Sequence, residues 1–256
     1  MIGYIELIFI FAIINYNLAM GNHLKTEFET LIGEASKATS QNNLLSVLVE
    51  KFPNQVIFST SFSYEDQVVT HLIKDLDVAI FTLDTGRLFE QTYETWTATK
   101  AFFKKDIKAY YPDTEELQKF VTENGPDSFY QSVEKRKACC NIRKVHPLKK
   151  ALQGYSVWIT GLRSEHSLNR QNIPQLEWDE DNQIIKFHPI LHWTTQEVTE
   201  YVQKHQLPYN YLHKKGFASI GCAPCTRAIQ EGEDFRAGRW WWEDANKKEC
   251  GLHIHQ

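Results

Sequence analysis

"QVIFSTSFSYEDQVVTHLIKDLDVAIFTLDTGR", residues 55–87, shows most clearly how strand and helix alternate in this chain. Two apolar segments, "QVIFSTS" and "DVAIFTLDTGR", have the character of short β-strands that end in polar loops. Between them, "EDQVVTHLIKDL" has a helical pattern with acidic residues in its first turn. Strands that alternate with helices in this way predict an α/β domain built on a mostly parallel sheet.

The same alternation continues along the chain. Further helices are predicted over residues 25–38, 42–52, 88–103 and 194–206, and further strands over residues 107–112, 156–163 and 182–190. The expected fold is a parallel twisted sheet with helices on both faces. In such sheets ligands bind at the carboxyl ends of the strands. The loops "STSFS", "DTGR" and "GLRSEHSLNR" are expected at that edge. From Leu207 onwards the pattern is irregular and predicts a cap over the site.

Composition limits the classes of function. The 256 residues carry a formal net charge of −4, so no broad nucleic-acid surface is expected. Five cysteines are an odd number for a secreted disulfide framework. They favour metal or thiol chemistry in a reducing compartment, which predicts a cytoplasmic protein.

The first twenty residues, "MIGYIELIFIFAIINYNLAM", are apolar. They contain Glu6 but no Lys or Arg, whereas a signal peptide begins with a positively charged region. The apolar run from Leu7 to Ile14 is too short to span a bilayer, and no membrane association is expected. We interpret Met20 as the start of translation, with a genuine hydrophobic extension over residues 1–19 as the alternative. Residues 20–256 then form a single domain, in which residues 207–256 are the cap and a mobile tail.

Four cysteines form two pairs. Cys139 and Cys140 are adjacent in "KACCNIRK", and Cys222 and Cys225 form a CxxC pair in "GCAPCTR". Four thiols are enough for one tetrahedral zinc ion or one iron–sulfur cluster. Adjacent side chains diverge by about 100° around a helix, which suits separate irons of a [4Fe–4S] cluster better than one ion. Zinc and four buried free cysteines are the alternatives.

Cys250 lies in "ANKKECGLHIHQ", near the end of the chain. Lys247 and Lys248 precede it, and neighbouring cations favour the thiolate, which is the nucleophilic form. Gly251 gives the backbone freedom to move. The tail therefore has the features of a mobile nucleophile, while an incidental cysteine is an equal alternative.

Arg and Lys side chains recur beside these features. Arg143 and Lys144 follow the cysteine pair, Arg163 and Arg170 bracket the loop after "WITG", and Arg236 and Arg239 lie in "FRAGRWWWED". Guanidinium groups bind phosphate and sulfate in a bidentate manner, which predicts an oxyanion site. "STSFSYED" adds hydroxyls and backbone N–H groups at a helix N-terminus, although it lacks the Walker pattern. Trp240, Trp241 and Trp242 are interpreted as packing residues of the cap.

Together the motifs resemble a known family. "STSFSYEDQ", "LDTGR", "CCNIRKVHPL", "LPYNYLHKKGFASIGCAPCTR", "GRWWWED" and "KKECGLH" are similar to segments of the assimilatory adenylyl-sulfate reductases, the cluster-containing branch of the CysH-type sulfonucleotide reductases. The resemblance covers about Leu24 to His253. It implies the adenine nucleotide α-hydrolase (PP-loop) fold. The order "SFSYED" departs from the Gly or Ala that often precedes the acidic pair.

The resemblance also implies roles for individual residues. Cys139, Cys140, Cys222 and Cys225 would hold a [4Fe–4S] cluster, and Cys250 would be the nucleophile. The residues expected to bind substrate are Thr60, Ser61, Ser63, Leu83, Asp84, Arg87, Lys144, Gly161, Arg163, Arg170, Arg236, Arg239 and His253. Lys144 would lie between cluster and substrate.

The implied reaction is the reduction of adenosine 5′-phosphosulfate to sulfite and AMP. Cys250 would form an S-sulfo intermediate, and thioredoxin or a similar dithiol would release sulfite. A homo-oligomer is expected. Three alternatives stay open: a reductase that uses 3′-phosphoadenosine 5′-phosphosulfate, a non-catalytic zinc-binding module, and an ATP-using PP-loop ligase, which the missing Gly-Gly signature disfavours.

Overall fold

A computed structural model describes residues 23–32, 41–166 and 173–243. Within these residues six strands form one sheet. They are β1 (Val56–Ser59), β2 (Ala79–Leu83), β3 (Lys108–Tyr110), β4 (Val157–Ile159), β5 (Leu176–Asp179) and β6 (Ile184–Phe187). The predicted strands at residues 55–61, 77–87, 107–112, 156–163 and 182–190 each contain one of these, whereas β5 was not predicted.

The sheet has the strand order β3-β2-β1-β4-β6-β5. Neighbouring strands from β3 to β6 run parallel, and only the edge strand β5 is antiparallel to its neighbour, β6. The strand order reverses direction between β1 and β4, which is the position where open α/β sheets bind their ligands. The predicted, mostly parallel sheet is therefore confirmed.

Eight α-helices are described. They are α1 (residues 23–32), α2 (Gln41–Lys51), α3 (Tyr64–Leu72), α4 (Glu90–Phe103), α5 (Thr114–Asn124), α6 (Val133–Cys140), α7 (His146–Leu152) and α8 (Thr195–Lys204). Helix α3 begins with a capping box, in which Ser63 and Asp66 satisfy each other's backbone N–H groups. Helix α8 begins with the same arrangement between Thr194 and Glu197.

Apolar side chains cover both faces of the sheet. In β1, Phe58 belongs to the core on one face and Ile57 to the core on the other, as the alternation of a strand requires. Val68 of α3 and Val198 of α8 pack on the first face, and Leu148 of α7 packs on the second. The expectation of helices on both faces is confirmed.

The described part of the cap, residues 207–243, contains no α-helix or extended strand. Two 3-10 turns, Tyr211–Lys215 and Ala223–Cys225, and an isolated bridge between Thr226 and Arg239 organise it. No helix in the described parts of the chain is long and apolar enough to cross a membrane. The apolar segment 1–19 lies outside the described residues.

Candidate functional site

A cleft opens at the carboxyl ends of β1, β2 and β4, where the cap faces the sheet. Many of the residues expected to bind substrate line this cleft: Thr60, Ser61, Ser63, Leu83, Lys144, Gly161, Arg236 and Arg239. They come from the loops after three parallel strands, from the segment after the adjacent cysteines and from the cap. The fold therefore brings together positions up to 179 residues apart, Thr60 and Arg239.

The loop between β1 and α3 is organised around a buried carboxylate. Asp66 accepts hydrogen bonds from the Ser61 backbone N–H at 2.6 Å and from the Ser61 hydroxyl at 2.7 Å. Burial raises the pKa of Asp66 to about 6, although the hydrogen bonds from Ser61 oppose this shift. The sequence predicted that backbone N–H groups of this loop bind an anion. The Ser61 N–H group already donates to the Asp66 carboxylate. Gly161 is required beside it, because a Cβ there would overlap the Asp66 carboxylate.

Arg239 is a buried cation without a carboxylate partner among the described residues. Its residue exposure is 6 %, and its Nε atom has no hydrogen-bond partner. The Nη1 atom makes a long contact of 3.4 Å with the Ser219 hydroxyl. Since buried charges are normally paired, this guanidinium on the wall of the cleft indicates a site for an anion.

Arg163 is buried in a different way. Its guanidinium lies 2.9 Å from Glu65 and 2.6 Å from Glu165 in ion pairs, and it donates to the Thr195 hydroxyl at 3.0 Å. These partners join the loop after β4 to the first turns of α3 and α8. The structure does not place Arg163 on the cleft wall, and its bonds explain it as a structural residue rather than a ligand for phosphosulfate.

Asp84 and Arg87 are not among the residues that line the cleft, and their contact with substrate stays a prediction. Asp84 accepts from the Tyr93 hydroxyl at 2.9 Å and from the Gly86 N–H at 2.8 Å, so it holds the loop after β2. Arg87 points to a second cavity, where it lies 5.1 Å from the centre of the Phe129 ring. The family resemblance had grouped both residues with the substrate because they belong to the same motif, "LDTGR".

All four cysteines of the two pairs line this second cavity, together with Arg87, Arg136, Arg143 and Lys144. Cys139 and Cys140 end α6, and a π-helical turn, Asn141–Val145, follows directly. Such turns are rare and occur often at functional sites, because they change the direction of the side chains that follow. Lys144 and Cys222 line both the cleft and the cysteine cavity.

Cys222 and Cys225 are buried, and Cys139 and Cys140 are half-buried. Burial, with a smaller contribution from Cys222, raises the pKa of Cys225 to about 12, and burial also raises the pKa of Cys139. The Thr85 hydroxyl lies 3.2 Å from the Cys222 sulfur and accepts from the Arg87 N–H at 3.2 Å. Either atom can donate in the contact between Thr85 and a Cys222 thiol, whereas the hydroxyl is the donor if Cys222 is a thiolate. Thr85 was not predicted, since nothing in its sequence context points to a cysteine 137 residues away.

The described residues contain no group of three or more His, Cys, Asp or Glu that is already arranged to hold a metal ion. One tetrahedral zinc would bring four sulfurs to within about 4 Å of each other. In a four-iron cluster, each thiolate can bind its own iron, so the sulfurs are further apart. Four thiols that line one cavity supply the all-sulfur donor set that either a [4Fe–4S] cluster or a zinc ion can use.

Three of the predicted site residues, Arg170, Cys250 and His253, lie outside the described residues. Sequence analysis also missed cleft residues, among them Trp158, Thr160, His213 and Gly221. A Gly next to the CxxC pair was a usable signal, because a Cβ on Gly221 would overlap the Arg239 guanidinium. The others have no distinctive sequence context.

The phosphoadenosine phosphosulfate reductase domain matches residues 55–228 of the 256-residue chain. The chain belongs to this family. An adenosine 5′-phosphosulfate reductase from Allochromatium vinosum is 48% identical over 202 residues, 78% of this chain and 79% of the relative. One from Burkholderia cepacia is 42% identical over 222 residues, 86% of this chain and 88% of the relative. The suspected resemblance to the sulfonucleotide reductases is thereby confirmed.

Solved structures agree with this family assignment. The phosphate complex of a phosphoadenylyl-sulfate reductase from Candida auris superposes with a TM-score of 0.64 at 26% identity, covering 81% of this chain and 97% of that one. An FMN adenylyltransferase from Candida glabrata superposes with a TM-score of 0.51 at 13% identity over 82% of this chain and 68% of that one, and this similarity concerns the fold alone. The first superposition thus supports the family assignment, and the second supports the α/β fold.

Proposed function

We propose that the protein reduces adenosine 5′-phosphosulfate to sulfite and AMP, with a dithiol protein such as thioredoxin as the electron donor. The relatives at 42% to 48% identity carry the name adenosine 5′-phosphosulfate reductase. This favours the substrate without a 3′-phosphate over the 3′-phosphorylated nucleotide.

The observation that carries the proposal is the buried Arg239 guanidinium on the cleft wall. It has no carboxylate partner among the described residues, and Arg236 and Lys144 line the same cleft. Three cations around one cleft suit the phosphate and sulfate groups of a sulfonucleotide. The adenosine would lie by Leu83 and Gly161, at the ends of β2 and β4.

In the proposed reaction the Cys250 thiolate attacks the sulfate sulfur. A bond forms between the two sulfur atoms while the bond between the sulfate sulfur and the bridging oxygen breaks, and AMP leaves with the electron pair. Arg236, Arg239 and Lys144 offset the negative charge of the nucleotide, so an anionic thiolate can approach. A thiolate of the dithiol partner attacks the Cys250 sulfur and releases sulfite. Its second thiol then closes a disulfide and returns the Cys250 thiolate.

We further propose that Cys139, Cys140, Cys222 and Cys225 hold a [4Fe–4S] cluster. A bound cluster would supply a fixed charge beside the cleft and a rigid link between α6 and the cap. Lys144, which lines both cavities, would orient its ammonium group between the cysteines and the anion. Because both electrons come from the dithiol, a cluster is not needed as an electron carrier. The residues of this cavity would instead position Lys144 beside the substrate.

Incubation with each sulfonucleotide and reduced thioredoxin tests the function. We expect sulfite and AMP from adenosine 5′-phosphosulfate, and far less product from the 3′-phosphorylated form. Arg239→Ala is expected to reduce kcat/KM roughly 10- to 100-fold, because a charge-assisted hydrogen bond is lost. Arg227→Ala is the matched control, since Arg227 lies in the cap but is paired with Glu233 at 2.8 Å.

Equal loss in both arginine variants would contradict the assignment of Arg239 to the substrate. Absence of sulfite with either nucleotide would contradict the proposed function itself. Iron and acid-labile sulfide in anaerobically purified protein test the cluster, and a colourless protein that contains zinc would support the non-catalytic alternative.

A further inference from the structure

Trp240 is buried, and cationic side chains surround its ring. The ring centre lies 4.6 Å from the Arg136 guanidinium, 4.9 Å from that of Arg239 and 5.9 Å from that of Arg236. The residue is only 1 % exposed. A cation within about 6 Å of an indole ring is attracted by its electron-rich face, and the attraction grows when water is excluded.

The backbone at Trp240 is held in an unusual conformation. Its φ angle is +43°, a left-handed value that a bulky residue rarely adopts. The Trp240 N–H donates to the Cys225 carbonyl at 3.1 Å, which ties this residue to the CxxC pair. Such a conformation persists only where the surroundings enforce it, and it often accompanies a functional constraint.

Two of the three arginines around the ring, Arg136 and Arg239, differ in their partners. Arg136 is neutralised by Glu243, whose carboxylate lies 2.7 Å from its Nε atom. Arg239 has no such partner in the described part of the chain, and it rests between the Trp240 ring and the backbone of Gly221. The indole ring therefore stabilises the Arg239 guanidinium through a cation–π contact. Unlike a carboxylate, the ring does not neutralise the positive charge that faces the cleft.

We propose that Trp240 is a positioning residue for the anion site: its ring holds Arg236 and Arg239 beside the cleft and leaves the charge of Arg239 available to the phosphate end of the nucleotide. The inference rests on the proposed function. It assigns to Trp240 a task beyond packing of the cap, because packing alone would not require an aromatic face beside the cations.

AMP is the probe, and its dissociation constant is measured by calorimetry with the holoenzyme. Trp240→Leu, which removes the aromatic face, is expected to weaken AMP binding about tenfold, and Trp240→Phe about threefold. Trp242→Leu is the matched control. Its ring packs in the same part of the cap, 4.4 Å from Tyr130, and none of the described cations lies over it. We expect that control to bind AMP within twofold of wild type.

A double-mutant cycle separates positioning from general damage. In an Arg236→Ala, Arg239→Ala background, Trp240→Phe is expected to have no further effect on AMP binding. If the Trp240→Phe substitution weakens binding equally in both backgrounds, or in neither, the inference is wrong. Wild-type protein that does not bind AMP would instead overturn the proposed function. Because Trp240→Phe keeps most of the ring, the test remains decisive if Trp240→Leu does not fold.

Discussion

The Arg136 guanidinium donates two hydrogen bonds to the Glu243 carboxylate, at 2.7 Å and 3.0 Å. Their side chains are 1 % and 4 % exposed. This buried ion pair fastens the end of the described cap to α6, the helix that carries the adjacent cysteines. The Arg136 guanidinium also lies over the Trp240 ring, so α6, Glu243 and Trp240 are in contact through this one side chain.

Removal of one partner should destabilise the protein strongly. We expect Glu243→Gln to lower the free energy of unfolding by about 3 kcal/mol, because it leaves a buried guanidinium without its counter-charge. Denaturant unfolding measures the loss. Asp75→Asn is the control: its pair with Lys74 is exposed at 86 % and 45 %, and exposed pairs contribute under about 1 kcal/mol. Similar losses in both variants would contradict the structural role of the buried pair.

Asp66 should make stability depend on pH in the direction opposite to most carboxylates. Burial, partly opposed by hydrogen bonds from Ser61, raises its pKa from 3.8 to about 6. The folded protein therefore binds the proton more tightly than the unfolded chain, and stability decreases as pH rises from about 4 to about 6.

Asp66→Asn tests this dependence. Chemical unfolding of wild type and variant at pH 5 and pH 7.5 measures the difference between their stabilities. We expect that difference to shift in favour of the variant at the higher pH by roughly 1 to 1.5 kcal/mol, because the amide carries no charge and about half of the total effect of the pKa shift is already present at pH 5. If the difference in the free energy of unfolding between wild type and variant is the same at both pH values, the Asp66 carboxyl has the same pKa in the folded and unfolded states.

Gly221 allows the Arg239 guanidinium to lie flat against the backbone. A Cβ at this position would overlap that group, so Gly221→Ala should displace it from the cleft. We expect AMP binding to weaken about tenfold, as for a lost charge-assisted hydrogen bond. In an Arg239→Ala background the same substitution should add little. A full additional loss in that background would mean that Gly221 acts by another route.

The Thr85 hydroxyl lies 3.2 Å from the Cys222 sulfur, and it would donate a hydrogen bond to a Cys222 thiolate in the proposed cluster site. Thr85→Val keeps the shape but removes the hydroxyl, and hydrogen bonds to metal ligands typically change metal affinity about 10- to 100-fold. We expect faster loss of iron and acid-labile sulfide during anaerobic dialysis against a chelator. Thr85→Ser retains the hydroxyl and should behave as wild type. If both variants lose iron and sulfide equally fast, the Thr85 hydroxyl does not stabilise the cluster through a hydrogen bond.

The sequence predicted much of the fold because its signals are local. Four of the five parallel strands, β1, β2, β4 and β6, consist mainly of apolar residues, whereas β3, "KAY", gives a weaker signal. The antiparallel strand β5, Leu176–Asp179, has a charged residue at every second position, so it does not have the apolar character of the others. Helix α6 was missed because its residues, "VEKRKACC", have little apolar periodicity.

The site was harder to predict because the role of an arginine depends on distant partners. Arg163 and Arg239 are both buried beside a glycine-containing loop. Arg163 is neutralised by Glu65, 98 residues away, whereas Arg239 lacks such a partner in the described residues. Sequence position cannot distinguish these cases. The cysteine pairs were easier, since two short motifs that together supply four thiols limit the chemistry by themselves.

The central claim is that Cys250 takes the sulfo group from the nucleotide. Mass spectrometry of the protein mixed with adenosine 5′-phosphosulfate, in the absence of a dithiol, tests it most directly. We expect the chain to gain the mass of one SO₃ group on the peptide that contains Cys250, with AMP released in equal amount. Addition of reduced thioredoxin should then remove the adduct as sulfite. A Cys250→Ser variant that still gains the group, or wild-type protein that produces sulfite without ever carrying it, would contradict the account.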